Sequence, residues 1–319
     1  MQAYLQSLNI TALGNALPGG LTLGLIWGIM ALGLFLTYKV LGFSDLSVDG
    51  SLATGGAVSV MLIQNGWKPE ITLLFAFIVG CLAGLITGLL NTKLGIPDIL
   101  AGILTQISLY SINLNIMGKA NQAINLRQVT LYISMNAQSI NRTIIILIIL
   151  SIIVICALYW YLGTEHGSAL RATGNNRLMA RAQGINTSRM TVITLMLSNG
   201  LVAFAGALLS QATGFADINM GRGAIVIGLA AIIIGQVLGE AILKHHLNFM
   251  GRLVFVVISA IIYYFVYDFV IWLKFPSDDM KLLTAVVVAV FLAVPYLRDK
   301  SKTSFAHLGR VNKKMGGNN

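Results

Sequence analysis

The stretch Thr164–Arg189 reads TEHGSALRATGNNRLMARAQGINTSR and separates two long apolar runs, Thr143–Leu162 and Met190–Gln211. Four arginines lie in it against a single acid, Glu165. Apolar runs of about 20 residues are long enough to cross a bilayer core of about 30 Å, and a basic polar interval between two of them is typical of a connection on the cytoplasmic side. The stretch therefore indicates a loop that joins two membrane spans.

A short helix is predicted inside this loop, at residues 175–182. Asn175 or Asn176 can cap its first turn, because an Asn side chain accepts a hydrogen bond from a free backbone N–H there. Glycines before and after it, Gly174 and Gly184, are predicted to form turns. Its apolar side consists of Leu178, Met179 and Ala182. A capped, partly apolar helix between two spans suggests a docking element, and the alternative is a basic loop that only fixes topology.

Composition gives the broad class of the protein. Of the 319 residues, 56% are hydrophobic and only 10% are charged, whereas soluble domains average about 25% charged residues. The 33 glycines favour close packing of helices in lipid. We therefore expect an all-α polytopic membrane protein with about 8–10 transmembrane helices.

Nine apolar segments follow one another along the chain, and the second is short and rich in small residues, which predicts a broken or half-inserted helix. Residues 1–20 are predicted to be an extracytoplasmic or interfacial segment, residues 21–297 the transmembrane domain with the loop 164–189, and residues 298–319 a basic cytoplasmic tail. The segments are Leu21–Val40, Ser51–Gln64, Ile71–Leu90, Ile99–Met117, Thr143–Leu162, Met190–Gln211, Ala224–Leu243, Leu253–Leu273 and Leu282–Leu297.

Charge sets the expected orientation. If every segment crosses and the arginine-rich loop is cytoplasmic, 14 of the 21 basic residues lie inside and 7 outside, as the positive-inside rule requires. The N-terminus is then outside and the C-terminus inside. The same distribution speaks against nucleic-acid binding despite the net charge of +10, because the basic residues lie in loops and the tail without interleaved aromatic residues.

A weak internal repeat is visible. DGSLATGGA at residues 49–57 and DINMGRGA at residues 217–224 both place an acid and glycines before a helix of small residues. In the expected topology the two helices run in opposite directions, which is typical of inverted repeats with a substrate path at their interface. The alternative is that Gly and Ala are common in membrane helices generally.

Motifs for catalysis are absent from the sequence. It contains no G-x-x-x-x-G-K-[ST] phosphate loop, no H-E-x-x-H and no G-x-S-x-G. The two cysteines, Cys81 and Cys156, lie in separate apolar runs and are interpreted as small buried hydrophobic residues. We expect neither catalytic residues nor a metal or other cofactor on this chain, and this speaks against a membrane-embedded enzyme.

Polar groups within the apolar runs could line a path for a solute. The acids near the runs, Asp98, Glu240 and Asp268, all lie near span ends, so coupling to protons or sodium is disfavoured. Each uncharged candidate has the alternative of a helix-to-helix hydrogen bond. The candidates are Thr54, Ser59, Thr105, Gln106, Ser108, Asn199, Ser210 and Gln236.

The stretches GSALRATGNNRLMARAQGIN at residues 167–186 and GRGAIVIGLAAIIIG at residues 221–235 resemble the permease subunits of bacterial ABC importers. The most similar group includes the branched-chain amino-acid and ribose permeases, and the resemblance implies a type II importer-like fold. It extends over about residues 20–297. In that family the loop contains the coupling helix that docks on the cytoplasmic ATPase. The matching positions are Gly167, Arg171, Ala172, Gly174, Asn176, Ala180, Gly184, Ile185 and Asn186.

The resemblance also implies partners in the bacterial plasma membrane: a second permease copy, two ATP-binding subunits that carry ATP and Mg²⁺, and an extracytoplasmic solute-binding protein or lipoprotein. LSVDGSLATGGAV at residues 46–58 is similar to the branch found beside binding proteins for tryptophan or other aromatic amino acids. The expected function is import of a small solute, an aromatic or branched-chain amino acid. A sugar or nucleoside permease is the alternative, followed by an ion-coupled carrier.

Overall fold

The computed structural model describes residues 10–125, 131, 133–136, 138–243, 248–272, 282, 285, 286, 289 and 293. The chain forms two compact units, Met1–Leu273 and Lys274–Asn319, and all elements named below belong to the first. The ninth predicted segment, Leu282–Leu297, and the basic tail fall largely or wholly outside the described residues.

The described residues of the first unit form ten α-helices and two short strands. The longest helix is α8, and α1 continues directly into a π-helical turn, Leu36–Leu41. The elements are α1 (Ile10–Phe35), α2 (Val48–Gln64), α3 (Pro69–Thr92), α4 (Asp98–Met117), β1 (Asn121–Ala123), α5 (Ile140–Gly163), α6 (Glu165–Asn175), α7 (Arg177–Ala182), α8 (Thr187–Thr213), β2 (Phe215–Asp217), α9 (Ala224–Leu243) and α10 (Phe249–Trp272).

Seven helices in the described part of the chain are long and apolar enough to cross a membrane: α1 with its π-helical turn, α3, α4, α5, α8, α9 and α10. They coincide with seven of the nine predicted segments, and the expected class of an all-α, multi-pass membrane protein is confirmed. The segment predicted to be half-inserted, Ser51–Gln64, lies in α2, which has only 17 residues. The strands, which were not predicted, form an antiparallel ribbon that pairs Asn121 with Asp217.

Glycines at every fourth position let two pairs of helices pack backbone to backbone. On α3, Gly80, Gly84 and Gly88 face Asn199, Leu195 and Val192 of α8, so that a Cβ atom on Gly84 would overlap the Leu195 carbonyl group. On α1, glycines with the same spacing face α10. Small residues at such spacing permit close approach in lipid, where dispersion and not hydrophobic burial drives association. The contacts of α1 are Gly20 to Asp268, Gly24 to Ile261 and Gly28 to Val257.

The order of these contacts shows the direction of each helix. Position numbers rise on one helix as they fall on the other, so α3 is antiparallel to α8, and α10 is antiparallel to α1. The end of α1 lies beside Gly174, in the loop from which α8 begins. The helices α1 and α8 are therefore also antiparallel. The pair formed by α1 and α10 therefore resembles the pair formed by α8 and α3. The helices of one pair run in the opposite direction to the corresponding helices of the other.

The helices α2 and α9 complete this relation. Ser51 and Ser59 of α2 bond to Asn199 and Gln211 of α8, which makes α2 parallel to α8. Gly235 of α9 packs on Phe255 while Ser259 bonds to the carbonyl group of Ala231, so α9 is antiparallel to α10 and opposite in sense to α2. The helices α1, α2 and α3 thus run opposite in sense to α8, α9 and α10, as the inverted repeats expected from the sequence require.

The glycine stripe on α3 generates a prediction. We expect Gly84→Ala to lower the free energy of unfolding by about 1–3 kcal/mol, because the added methyl group meets backbone atoms that cannot rotate away. Gly163→Ala, a matched change at the end of α5 where a Cβ meets nothing within 4 Å, should change stability little. Thermal unfolding of the purified protein in one detergent measures both. Equal melting temperatures would contradict the packing described for α3 and α8.

Candidate functional site

The polar interval that joins α5 to α8 is held against the bundle by α6. Thr164 caps the helix by accepting a hydrogen bond from the Gly167 N–H at 3.3 Å. Gly167 packs against the backbone of Leu162, and Gly174 packs against the carbonyl group of Val40 at the π-helical end of α1. Any side chain at either glycine would collide with backbone atoms. The helix α6 is therefore fastened at both ends to the ends of two spans.

The next helix, α7, extends from this anchored unit with its apolar side uncovered. Asn176 caps it by accepting a hydrogen bond from the Met179 N–H at 3.0 Å. Ala180 is buried, and Gly184 ends the turn with a φ of +80°, a conformation that glycine adopts without strain. Leu178 is 78% exposed and Met179 63% exposed. Two large apolar side chains at the tip of a rigid unit form a surface suited to a protein partner.

The structure resolves the choices left open for this loop. The cap is Asn176, while Asn175 is the last residue of α6. The expectation of a turn at Gly174 is wrong, because this glycine is helical. Most of the other residues predicted to belong to the ATPase-coupling site make contacts within the loop itself. Arg171 bonds to Ser168, Ala172 is half-buried, Ile185 donates its N–H to the Ala180 carbonyl group and Asn186 caps α8.

A buried polar cluster lies where the loop after α1 turns back into the bundle. Asn199, near the middle of α8, donates to Asp45 Oδ2 at 2.7 Å and accepts from Ser51 at 2.6 Å. Ser47 donates its backbone N–H to Asp45 Oδ1 at 2.9 Å. All four side chains are at most 2% exposed. The cluster connects the loop, the start of α2 and α8 at the centre of the molecule.

Asp49 connects the two short helices. Its carboxylate accepts hydrogen bonds from the backbone N–H groups of Gly223 and Ile225, each at 3.1 Å. These groups are free at the start of α9, where the helix dipole also favours a negative charge. A residue of α2 thus caps α9, and the two helices of opposite sense meet end to end.

Asp45 and Asp49 were not among the acids predicted near the apolar runs. The sequence LGFSDLSVDG at residues 41–50 has the composition of a polar turn. Both are bonded to groups of the bundle. Asp98, by contrast, accepts from Asn91 at a helix start, as its position next to Pro97 indicated.

A cavity of about 400 Å³ opens beside the junction of α2 and α9. One wall is α4, and the opposite wall is the segment that leads from β2 into α9. Its lining combines an acid, an arginine and an aromatic residue with several uncharged polar groups, which sequence reasoning assigned no role except in the case of Gln106. The lining residues are Asp49, Gly50, Ala53, Gln106, Ile107, Tyr110, Ser111, Asn113, Ile218, Asn219 and Arg222.

The remaining residues predicted to line a path lie elsewhere. Ser59 belongs to a buried cluster in which Gln211 donates to Ser59 and Thr72, and Thr105 accepts from Thr87 on the neighbouring helix. The other hydroxyl groups bond to carbonyl groups of their own helices: Thr54 to Gly50, Ser108 to Leu104 and Ser210 to Ala207. Gln236 donates to Glu240. Their role in translocation stays a prediction.

Comparison with known proteins assigns this architecture. Residues 17–295 match the family model of the permease component of branched-chain amino acid transport systems. The chain belongs to this family. As a permease component it is a membrane subunit of a transport system and not itself a catalytic one. Within the described residues, no group of three or more His, Cys, Asp or Glu side chains is placed to hold a metal ion.

Individual relatives cover most of the permease. A tyrosine transport system permease protein of Clostridioides difficile is 38% identical over 297 residues, which cover 92% of this chain and 96% of the relative. An uncharacterized protein of Rickettsia prowazekii is 31% identical, with 88% and 97% coverage. An autoinducer 2 import system permease protein of Yersinia pestis is 30% identical, with 60% and 54% coverage. No solved structure matches the chain significantly.

The buried cluster around Asn199 generates a prediction. We expect Asn199→Leu to lower the free energy of unfolding by about 2–3 kcal/mol, because Asp45 and Ser51 lose a partner that water cannot replace inside the bundle. Thr54→Val is the matched control, since this buried hydroxyl bonds only within its own helix, and it should cost about 1 kcal/mol or less. Chemical or thermal denaturation in detergent measures both. An Asn199→Leu protein as stable as the control would show that the cluster contributes little.

Proposed function

We propose that this permease is the membrane subunit of an ATP-driven importer and that α7 is its contact with a separate ATP-binding subunit. The observation that carries the proposal is the exposure of Leu178 and Met179 at the tip of a unit fastened to the bundle. Their burial against a partner would contribute about 1.5–3 kcal/mol for each side chain. ATP and Mg²⁺ would then be bound by the partner, in agreement with the absence of a phosphate loop from the sequence.

The anchoring of α6 supports transmission of motion from this contact. Gly174 touches the end of α1, and the chain continues from there through Gly42 to Asp45, which bonds to Asn199. A displacement of α7 therefore reaches the centre of the bundle through packed backbone and buried hydrogen bonds. Alternating access requires two arrangements of the bundle that differ by a few kcal/mol, and ATP binding by the partner would select between them.

Orientation and assembly follow from charge and surface. We propose that the α6–α7 loop and the C-terminus face the cytoplasm and the N-terminus faces outward, since two thirds of the basic residues then lie inside. A second permease copy would cover the open side of the cavity, because α4 exposes apolar side chains beside it, among them Leu104 and Ile107. An extracytoplasmic binding protein would deliver solute to the side that carries the β1–β2 ribbon.

For the solute we propose an amino acid, most specifically an aromatic one. The support is the tyrosine permease, whose similarity extends over nearly the whole of both chains. A sugar-like solute is the second candidate, because the autoinducer 2 permease is also similar, but over only 60% of this chain. An ion-coupled carrier has no comparable support among the relatives.

The role of α7 can be tested by making its apolar tip polar. We expect the double change Leu178→Asp and Met179→Asp to abolish ATP hydrolysis stimulated by the loaded binding protein, and solute uptake with it, since a charged tip cannot be buried at the ATPase. Both residues are exposed, so the melting temperature of the isolated permease should not change. Leu94→Asp, at a leucine 69% exposed in the α3–α4 loop, is the matched control. Wild-type coupling in the double variant, or equal losses in both proteins, would contradict the proposal.

The transport function can be tested in proteoliposomes that contain the permease, its ATPase and its binding protein. We expect uptake of labelled L-tyrosine, L-phenylalanine or L-tryptophan that requires ATP inside the vesicles and persists when proton and sodium gradients are collapsed. Uptake that follows the gradients and ignores ATP would contradict the importer assignment. ATP-driven uptake of a sugar but of no amino acid would contradict the substrate class alone.

A further inference from the structure

We propose that the cavity beside α4 is a recognition site for the carboxylate group of the transported solute, with Asn113 and Arg222 as its hydrogen-bond donors. The inference rests on the proposed function, because it assumes that the solute is an amino acid. It goes further in assigning part of the selectivity to the permease itself and in naming the residues responsible.

Asn113 gives the first argument. It is 1% exposed, and neither its Nδ2 nor its Oδ1 atom has a hydrogen-bond partner. Buried polar side chains almost always have partners, because an unpaired amide loses its hydration without compensation. Asn113 also lines the cavity. We infer that a polar group of the bound solute supplies the missing partner.

Arg222 gives the second argument. It lines the same cavity, and its backbone N–H bonds to the Asn219 carbonyl group. Among the described residues, its guanidinium group has neither an ion pair nor a hydrogen bond. A guanidinium group presents its donors in a planar fork that matches a carboxylate group. An exposed arginine and a buried, unpaired amide that line one cavity are suited to the two oxygens of a carboxylate group.

The other charge in the cavity belongs to Asp49. The N–H groups of Gly223 and Ile225 occupy its oxygens on the side of α9, so the α9 N-terminus is not free to bind an anion and Arg222 remains the cationic group. A zwitterionic amino acid offers an ammonium group for Asp49 and a carboxylate group for Arg222. A neutral sugar offers neither an ammonium group nor a carboxylate group.

Tyr110 offers a ring against which an aromatic side chain of the solute can pack. It precedes Asn113 by one helical turn, so both lie on one face of α4, and 46% of its surface is exposed. Aromatic rings pack face to edge or offset at such positions. The volume of about 400 Å³ lies within the range of about 300–1,000 Å³ found for small-molecule sites. The cavity therefore fits one aromatic amino acid with its carboxylate between Asn113 and Arg222.

The test measures solute binding by the permease–ATPase complex in lipid nanodiscs, without the binding protein, so that only the selectivity of the membrane part is seen. Labelled L-tyrosine is the probe. N-acetyl-L-tyrosine, which keeps the carboxylate group, and tyramine, which lacks it, are the competitors. We expect N-acetyl-L-tyrosine to compete and tyramine to compete at least about tenfold more weakly than unlabelled L-tyrosine. Equal competition by tyramine, or no L-tyrosine binding at millimolar concentration, would overturn the proposal.

The variants Arg222→Gln and Asn113→Leu should each weaken L-tyrosine binding about tenfold or more. Lys119→Gln, which removes an exposed cation outside the cavity, is the matched control and should bind as wild type does. Wild-type affinity in both cavity variants would overturn the assignment of the donors.

A measurement of stability separates recognition from a structural role. Without solute, Asn113→Leu should melt at or above the wild-type temperature, because an unpaired amide has been removed, and it should lose the rise in melting temperature that L-tyrosine produces in wild type. A lower melting temperature with an intact response to L-tyrosine would show that Asn113 serves only the fold. If the proposed function itself were wrong, the wild-type importer would show no ATP-driven uptake of amino acids. That result differs from a wild-type importer that transports amino acids while the cavity variants bind normally.

Discussion

Two helices of this permease begin inside the bundle, and the rest of the structure depends on how their free backbone N–H groups are satisfied. Water is scarce at that depth, so each unpaired group costs several kcal/mol (about 2–7 in apolar surroundings). Asp49, in the first turn of α2, accepts hydrogen bonds from N–H groups at the start of α9. One acid of α2 thus stabilises the start of α9. Because the two helices have opposite sense, this contact is also the centre of the inverted repeat.

A series of contacts links the loop that contains α6 and α7 to the junction of α2 and α9. The helix α6 lies on the end of α1 through Gly174, where the contact with Val40 leaves no space for a side chain. A few residues later the chain enters the bundle again, and Asp45 bonds to Asn199 of α8. The π-helical turn between these points is a feature that often accompanies functional sites in helices. Movement of α7 by a partner would thus act on α1, α2 and α8 together.

Local patterns in the sequence were sufficient for some parts of this architecture. The apolar runs predicted the spans because a bilayer demands a minimum apolar length, and Asn176 followed by a short apolar stretch predicted α7. The helix α6 was missed, since Gly167 and Gly174 disfavour a helix locally and are helical only because Leu162 and Val40 lie against them. The polar stretch that holds Asp45 has the composition of an exposed turn. Its burial depends on Asn199, which is far away in sequence.

The candidate site was harder to predict than the fold. Gln106 was identified from its polar character within a span, and the acid-glycine pattern at Asp49 pointed to a special helix start. Asn113 lies near the end of the predicted span Ile99–Met117, and Arg222 lies in the segment DINMGRGA before another span. Neither position carries a local signal of a binding site. Only the convergence of α4 with the start of α9 makes them neighbours. Long-range geometry of this kind leaves no periodic signal in a single sequence.

The proposed coupling requires that α7 lies in the cytoplasm, where an ATPase covers it. Cysteine labelling with a membrane-impermeant maleimide measures this, in a protein whose own cysteines, Cys81 and Cys156, have been replaced. A cysteine at position 178 should react in inside-out vesicles and not in intact cells, and co-assembly with the ATPase should protect it. A cysteine at position 122 of the β1–β2 ribbon should show the opposite sidedness. Labelling of position 178 in intact cells, or labelling unaffected by the ATPase, would contradict the account.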